Sequence, residues 1–352
     1  MAATGETLRI LAALDAADLA RARRQVRDIA SAYVLAWDEV SGDLADALDN
    51  LAAARAAGEA PQALVLRSTR LRKALSVIAD RLHELADTGA LRITRDLRQA
   101  VQDAGAGQVA LIASTLPPAH AAMAVAWDAV NPDAITAIIE RATQQIHAAH
   151  LPLSDEAVAA MRSELIRGLA AGSNPKATAL RMLDRCEGHF NGGIARAMRI
   201  SRTETLDAMR AASRLADLSN PDLVTGWQWV ASLGPRTCSS CWAQHGSIHP
   251  ADEPGPLDHH NGRCARIPVL KSWRDLGFDI DEPASVIPDA QTTFDAMGRD
   301  AQRQVLGSKG LAAYEQGRFP MSAWSVRKDT PEWRPAYYAA KPPTLTPRRA
   351  VA

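Results

Sequence analysis

The sequence predicts a mainly α-helical protein, with an N-terminal helical hairpin or bundle followed by a small α+β module that zinc holds together. Composition changes near residue 220: residues 1–220 hold six prolines and four aromatic residues, whereas residues 221–352 hold fourteen prolines and twelve aromatic residues. The first part is rich in Ala, Leu and Arg, which favour helix. The second part is rich in turn residues and contains three of the four cysteines. We therefore place a domain boundary at Asn220–Pro221.

The N-terminal helices are predicted from apolar residues spaced three and four positions apart. One such run extends from Leu19 to Leu51, and Gly58 and Pro61 end it. A second run extends from Leu64 to Leu85 and stops at Thr88–Gly89. Two long helices joined by a short turn predict an antiparallel hairpin, either in a compact bundle or as an elongated coiled coil.

Shorter elements are predicted along the rest of the chain. Helices are expected at residues 91–104 and 135–146, and further helices begin at Ser154 and at Asn174–Pro175, where good capping residues stand. Strands are expected at residues 226–231 and 265–270. The resulting division is an N-terminal helical region (1–133), a second helical part (134–220), a zinc-knuckle module (221–270), a segment of helix and loop (271–326) and a flexible tail (327–352).

Four side chains between residues 238 and 264 suit a closed zinc site. Cys238 and Cys241 form a C-x-x-C pair on a tight turn, and Cys264 follows His260 by four residues. Thiolate and imidazole donors from two loops match the tetrahedral sites that zinc occupies in structural modules. The predicted ligands are Cys238, Cys241, His260 and Cys264, and His259 is an alternative to His260. Such a small module has little core of its own, so the metal would supply much of its folding free energy.

The residues from Cys238 to Cys264 fit a structural zinc site better than they fit known types of catalytic site. A zinc deaminase needs H-x-E ahead of P-C-x-x-C, and the chain contains no H-x-E. An HNH-type nuclease would need a further Asn or His after Asn261, and neither residue occurs there. Hydrolysis needs an open zinc position, whereas four predicted ligands leave none for water. We therefore predict no enzymatic activity.

Three motifs occur in order along residues 134–326. They are R-T-E from Arg202 to Glu204, R-T-C-x-x-C from Arg236, and H-x-x-G-R-C-x-x-x-P from His259. Together they resemble the Mu F-like minor head proteins of tailed phages, the phage head morphogenesis family. The chain departs from that family at Gly262, where the family often has a further cysteine, and at Gly234, where it tends to have an aspartate.

The R-T-E motif predicts a contact between its helix and the knuckle. Arg202 and Glu204 lie two positions apart, so their side chains do not face each other on a helix and need partners elsewhere. We expect Glu204 to accept hydrogen bonds from the backbone or from Arg236, and Arg202 to hold a carboxylate of another element. The resemblance implies that these three residues form a structural network that docks the helix onto the module.

The resemblance also implies a biological role. It indicates a minor capsid protein of head morphogenesis that is associated with the portal and carries a structural zinc. Its expected partners are the portal protein, the major capsid and scaffold proteins, and genomic DNA inside the head. The expected location is the capsid interior of the virion, after assembly in the host cytoplasm. The alternatives are a degenerate HNH-type nuclease and a non-viral helical interaction adaptor.

The net charge, the length of the apolar runs and the placement of the cysteines narrow the possible functions and partners. The chain has 40 basic and 40 acidic residues, which argues against a dedicated nucleic-acid coat protein because such a protein must neutralise phosphates. No apolar run approaches the length of a membrane span, so no membrane partner is expected. With three cysteines placed as ligands, synthesis in a reducing compartment is expected. Cys186, the fourth cysteine, is expected to be a small buried residue in a helix.

Overall fold

The structure is a computed structural model, and it describes residues 3–56, 69–117, 132–150, 198–330 and 333–344. Most of these residues are helical and a smaller share lies in strands, as the sequence predicts. The helices are α1 (Gly5–Ala56), α2 (Thr69–Ser114), α3 (Pro132–His150), α4 (198–218), α5 (Ser239–Gln244), α6 (Ala290–Asp295) and α7 (Arg299–Glu315). The strands are β1 (Val224–Val230), β2 (Ile248–Pro250), β3 (Ala265–Leu270), β4 (Ser325–Thr330) and β5 (Trp333–Ala339).

The chain divides into two compact units. The first unit comprises Met1–Ala17, Ala100–Ile138 and Leu206–Ala352, and the second comprises Asp18–Gln99 and Ile139–Thr205. Helices α1, α2, α3 and α4 each contribute residues to both units. The division into five segments proposed from composition remains a prediction, and its boundary at Asn220–Pro221 falls inside the first unit. Among the described residues, no helix is long and apolar enough to cross a membrane.

Helices α1 and α2 run antiparallel. In the second unit, Gln25 donates to Asp96 at 3.2 Å, and the Arg81 guanidinium lies 2.7 Å from the Glu39 carboxylate. In the first unit, the Thr7 and Ser114 hydroxyls are 2.9 Å apart. From Thr7 to Glu39 along α1, the partner residues run backwards along α2, from Ser114 to Arg81. This is the arrangement of the predicted antiparallel hairpin.

The end of the second helix at Thr88–Gly89 was predicted wrongly. Helix α2 continues through Gly89 to Ser114 and absorbs the separate helix expected at residues 91–104. Residues of this continuation are fully buried, among them Ile93 and Leu97. Their packing offsets the cost of about 1 kcal/mol that a glycine imposes inside a helix. The helix expected at residues 135–146 is present as α3, whereas the helices expected from Ser154 and Asn174–Pro175, and Cys186, lie outside the described residues.

The first unit contains a three-stranded antiparallel sheet in the order β2-β1-β3. Both strands expected from the sequence are present, β3 at its predicted bounds and β1 starting two residues earlier. Trp227 of β1 pairs with His249 of β2 on one side and with Pro268 of β3 on the other. Gly226 is required beside β2, because a Cβ atom there would lie 2.4 Å from the His249 carbonyl oxygen.

A buried ion pair ties α4 to this sheet. The Arg266 Nε donates to the Asp217 carboxylate at 2.6 Å, and both side chains are almost completely buried. Gln108 of α2 donates to the other Asp217 oxygen at 2.8 Å, and Arg266 also donates to the carbonyl oxygens of Ala251 and Glu253. Burial raises the pKa of Asp217, while Arg266 and Gln108 act in the opposite direction. Every oxygen of this carboxylate therefore has a partner, which makes its burial tolerable.

The C-terminal residues are ordered where a flexible tail was predicted. Strands β4 and β5 pair as an antiparallel hairpin, so residues 327–330 and 333–339 form strands where a flexible tail was predicted. The Tyr337 amide donates to the Leu257 carbonyl at 2.8 Å, which fixes the hairpin to the loop ahead of β3. Pro, Arg and Lys are frequent here, but Ala336 of β5 is fully buried and Trp333, Tyr337 and Tyr338 are half-buried, which composition alone does not reveal. Residues 345–352 lie outside the described residues.

A second apolar core lies under helices α6 and α7. Trp324 and Phe294 are fully buried there and meet edge to face, with ring centroids 4.8 Å apart. Trp242 of α5 packs against Phe294 from the other side, with centroids 5.5 Å apart. Helix α7 bends at Gly307, whose φ of 69° suits glycine. This core connects the C-terminal helices to the short helix that carries the C-x-x-C pair.

We predict that Asp217→Ala lowers the free energy of unfolding by about 3–5 kcal/mol, because it leaves the buried Arg266 guanidinium without its charge partner. Urea unfolding of the two proteins measures the difference. Asp281→Ala is the matched control: Asp281 also pairs with an arginine, Arg274, but both side chains are largely exposed. The control should unfold like the parent protein. If both variants lost the same free energy of unfolding, the buried pair would contribute no more to stability than the exposed pair.

Candidate metal centre

The C-x-x-C pair lies on the turn that starts α5. Cys238 is the N-cap residue of this helix, with extended backbone angles, and its Sγ accepts from the Cys241 amide at 3.4 Å. One helical turn separates the two cysteines, so their side chains point to the same side. The two Sγ atoms are 3.3 Å apart. Cys241 is buried and Cys238 is half-buried.

His259 completes a cluster of three donor atoms. Its Nε2 lies 3.1 Å from the Cys238 Sγ and 3.8 Å from the Cys241 Sγ. Tetrahedral zinc with bonds of about 2.3 Å to sulfur and about 2.0 Å to nitrogen places sulfur atoms about 3.8 Å apart and sulfur about 3.6 Å from nitrogen. The three separations in the cluster are within about 0.5 Å of these values. The cluster therefore fits a tetrahedral ion with small adjustments of side-chain torsions.

The His259 ring is oriented by its neighbour. Its Nδ1 lies 2.9 Å from the His260 carbonyl oxygen, so Nδ1–H donates there and Nε2 faces the two thiols. Metal-binding histidines commonly use this arrangement, in which one ring nitrogen binds the ion and the other donates to a carbonyl group. The backbone thus selects the tautomer that a metal needs.

The donor set is electrostatically coupled. The pKa of Cys238 is lowered to about 5, first by its hydrogen bond with Cys241 and then by His259. The pKa of His259 is raised to about 9, chiefly by its hydrogen bond with Cys238. The pKa of Cys241 is raised by the thiols of Cys238 and Cys264 and by burial. Protons on His259 and Cys241 must leave when a metal binds, so affinity should rise with pH.

Cys264 lies in the same apolar cluster as the other two cysteines. It is buried, packs with Cys241, Trp227 and Trp229, and comes close enough to Cys241 for its thiol to raise the pKa of that residue. Trp227 and Trp229 stack with ring centroids 6.1 Å apart and cover this side of the cluster. Cys264 is thus a neighbour of Cys241, but its Sγ is not one of the three donor atoms that lie within 4.8 Å of one another, and its role as a ligand remains a prediction.

His260, the histidine in the predicted ligand set, has a different neighbour. Its exposed ring stacks on Trp333 of β5, with centroids 3.8 Å apart and planes inclined by 25°. The structure brings the alternative, His259, to the two thiols. Because the ring atoms of adjacent loop residues point in different directions, the spacing of the motif alone could not choose between them.

The other two histidines of this stretch have structural contacts. The His245 Nδ1 accepts from the Ala231 amide at 3.0 Å, and its Nε2 lies 3.0 Å from the Pro288 carbonyl oxygen. Burial lowers the pKa of His245. His249 stacks on Trp227, with ring centroids 4.3 Å apart. These contacts account for His245 and His249 without a role for either residue as a metal ligand.

The loop that carries His259 is built around the carboxylate of Asp258. This side chain is only 1% exposed and accepts two hydrogen bonds from Arg210 of α4, at 2.7 and 2.8 Å. It also accepts from the Cys264 amide at 3.1 Å. Arg210 in turn donates to the carbonyl oxygens of Gly262 and Cys264 at 3.0 and 3.1 Å. One arginine and one aspartate thus hold both ends of the loop between the two candidate ligands.

Two further charges extend this network. Asp207 lies one helical turn before Arg210 and accepts from Arg334 of β5 at 2.7 Å. Arg334 also donates to the Asp258 carbonyl at 3.1 Å. Burial alone would lower the pKa of Arg210, but Asp258 and Asp207 raise it above its usual value. The structural role of Arg210 and Asp258 was not predicted from the sequence, although Asp258 directly precedes the two histidines.

The network proposed from the R-T-E motif remains a prediction. Arg202 and Glu204 are half-buried on α4, and Arg236 is exposed two residues before Cys238. The charged residues of α4 that contact the module include Arg210 and Asp217, described above, and Arg214, whose Nε donates to the Asp252 carbonyl at 2.8 Å.

We predict that Gly262→Ala destabilises the loop, because the added Cβ would lie 2.2 Å from the Asp258 carboxylate and force that group off Arg210. The cost should be roughly 1–3 kcal/mol, as for other insertions into packed sites. Urea unfolding measures it. Gly234→Ala is the control, since a Cβ at this position meets nothing within 4 Å. A Gly262→Ala protein as stable as this control would contradict the tight packing around Asp258.

Comparison with known proteins agrees with the motifs. Residues 159–267 match the family described as "Phage Mu protein F like protein", just under a third of the chain. No curated protein and no solved structure matches the chain significantly. The matched segment includes the R-T-E motif, the C-x-x-C pair, His259 and Cys264. The match confirms the resemblance read from these motifs and supports a Mu F-like phage head protein.

Proposed function

We propose that the protein is a minor capsid component of head morphogenesis whose Mu F-like segment contains a structural zinc site. The observation that carries the proposal is the cluster of Cys238, Cys241 and His259 inside the segment that matches the family. A sequence match alone suggests a phage head role. The donor cluster adds a physical reason for the spacing of the cysteines and histidines.

Zinc is the metal that fits this donor set best. Two thiolates and an imidazole are soft to borderline donors, and zinc is the usual divalent partner of such sets. We assign Cys238, Cys241 and His259 as three ligands and Cys264 as the fourth. Four protein ligands would close the site to water, so the role is structural rather than catalytic. A closed site also joins the knuckle turn to the loop after Asp258, two segments that the chain brings together without a disulfide.

The metal assignment predicts about one zinc per chain in purified protein. Cys238→Ser should remove the metal and make the loop at residues 255–264 sensitive to protease. The two adjacent histidines provide a matched pair: His259→Ala should lose most of the zinc, whereas His260→Ala should retain it. Metal analysis together with limited proteolysis measures both effects. Retention by His259→Ala with loss by His260→Ala would favour the ligand set derived from the sequence.

We further propose that the protein acts at the portal during prohead assembly, with capsid and scaffold proteins and the packaged DNA as neighbours. The family match supports the head assignment, and the portal is the finer part of the proposal. The chain carries equal numbers of basic and acidic residues, so protein surfaces are better partners for it than bare DNA. Its long helices provide the extended faces that such docking uses.

The portal proposal predicts that the full-length protein co-sediments with proheads that contain a portal and not with portal-free capsid shells. Because the protein is neutral overall, binding should weaken only modestly as salt is raised. Sedimentation of both particle types with purified protein, followed by gel quantification, provides the measurement. Equal binding to both particles would place the docking surface on the capsid shell. Binding to neither would contradict the role in assembly.

A further inference from the structure

We propose that Cys238 and Cys241 form a thiol–disulfide site: an oxidant of the peroxide class joins the two sulfur atoms and expels the metal. The inference rests on the metal site proposed above and adds a chemical means of emptying it. Of the three cysteines Cys238, Cys241 and Cys264, it assigns the disulfide bond to the first two.

The geometry of the pair carries the inference. The two Sγ atoms are 3.3 Å apart, and a disulfide bond of about 2.05 Å requires an approach of little more than about 1 Å. Both residues lie on one turn, so rotation of the side chains can close this gap without moving separate segments. A C-x-x-C pair on a turn that starts a helix is also the arrangement that thiol–disulfide chemistry uses in many proteins.

Accessibility distinguishes the two thiols. Cys238 is half-buried, whereas Cys241 and Cys264 are buried. A small oxidant therefore meets Cys238 first, and the Cys241 Sγ lies 3.3 Å from the Cys238 Sγ. Cys264 comes from the far side of the loop and is held by the bond from its amide to Asp258. The expected product is the bond between Cys238 and Cys241.

The chemistry balances with hydrogen peroxide as the oxidant. The Cys238 sulfur attacks one peroxide oxygen, the O–O bond breaks, and the products are a sulfenic acid at Cys238 and one water. The Cys241 sulfur then attacks the Cys238 sulfur, the S–O bond breaks, and a second water leaves. In the zinc-bound protein the two thiolates lose two electrons to the peroxide, the solvent supplies two protons, one peroxide becomes two waters and the zinc leaves as the free ion. A small dithiol reverses the change by exchange.

The disulfide would end metal binding. Two of the four donors become bonded to each other and lose the negative charge that holds the ion. The remaining His259 and Cys264 cannot form a closed site. In a reducing cytoplasm the pair stays reduced and the metal remains bound, whereas an oxidising medium favours the disulfide. Whether the site holds its metal would therefore depend on whether the medium around the assembled particle is reducing or oxidising.

The test treats the zinc-loaded full-length protein with hydrogen peroxide. A chromophoric chelator measures released zinc, and alkylation before and after reduction, followed by peptide mass spectrometry, identifies the oxidised cysteines. We expect loss of two free thiols and about one zinc per chain. The linked peptide should join Cys238 to Cys241, and dithiothreitol with added zinc should restore the starting state.

Variants test the pairing. Cys241→Ser should give no bond within this pair, whereas Cys186→Ser, the control at the fourth cysteine, should behave like the parent protein. Zinc-loaded protein that keeps its metal and both thiols under peroxide would overturn the disulfide site and leave the metal proposal intact. A bond from Cys264 to either partner as the main product would overturn the assigned pair. Protein purified without metal that still forms the Cys238–Cys241 bond would support the disulfide site and contradict the metal proposal.

Discussion

The buried carboxylate of Asp258 is the interaction on which the candidate centre depends. A charge at this depth is tolerated only because Arg210 binds both of its oxygens and the Cys264 amide adds a third bond. The same arginine binds two carbonyl groups of the loop. The path of the backbone from His259 to Cys264 is therefore set by protein contacts, and the three donor atoms are brought together by the fold itself.

Helix α4 is as much a part of the cysteine-rich module as the strands are. Arg210, Arg214 and Asp217 lie at spacings of four and three residues, so one face of the helix presents all three charges to the module. Each finds its partner there, in Asp258, the Asp252 carbonyl and Arg266 respectively. Trp227 and Trp229 of the sheet pack in the same apolar cluster as Cys241 and Cys264.

Local patterns predicted much of this fold. Periodic apolar residues predicted the long N-terminal helices, and the alternation of Trp227, Trp229 and Ala231 predicted β1. The cysteines were found because their spacing carries the chemistry. Arg210 and Asp258 could not be paired from the sequence, since 48 positions separate them and their chemistry is that of ordinary surface charges. Gly89 and the C-terminal hairpin were misjudged for the same reason: burial by distant segments outweighed local preference.

The contacts of α4 have a consequence for how such a module can be inherited or exchanged. The change in composition at Asn220–Pro221 suggests a natural place to cut, yet a fragment starting there would lose Arg210 and Asp217 and leave two buried charges, Asp258 and Arg266, without partners. Recombination that moves the cysteine-rich segment between chains therefore has to carry the preceding helix with it. It also has to carry Arg334, more than a hundred residues further on, which binds Asp207. The segment that has to be inherited together therefore extends beyond the cysteine and histidine motif by which it is recognised.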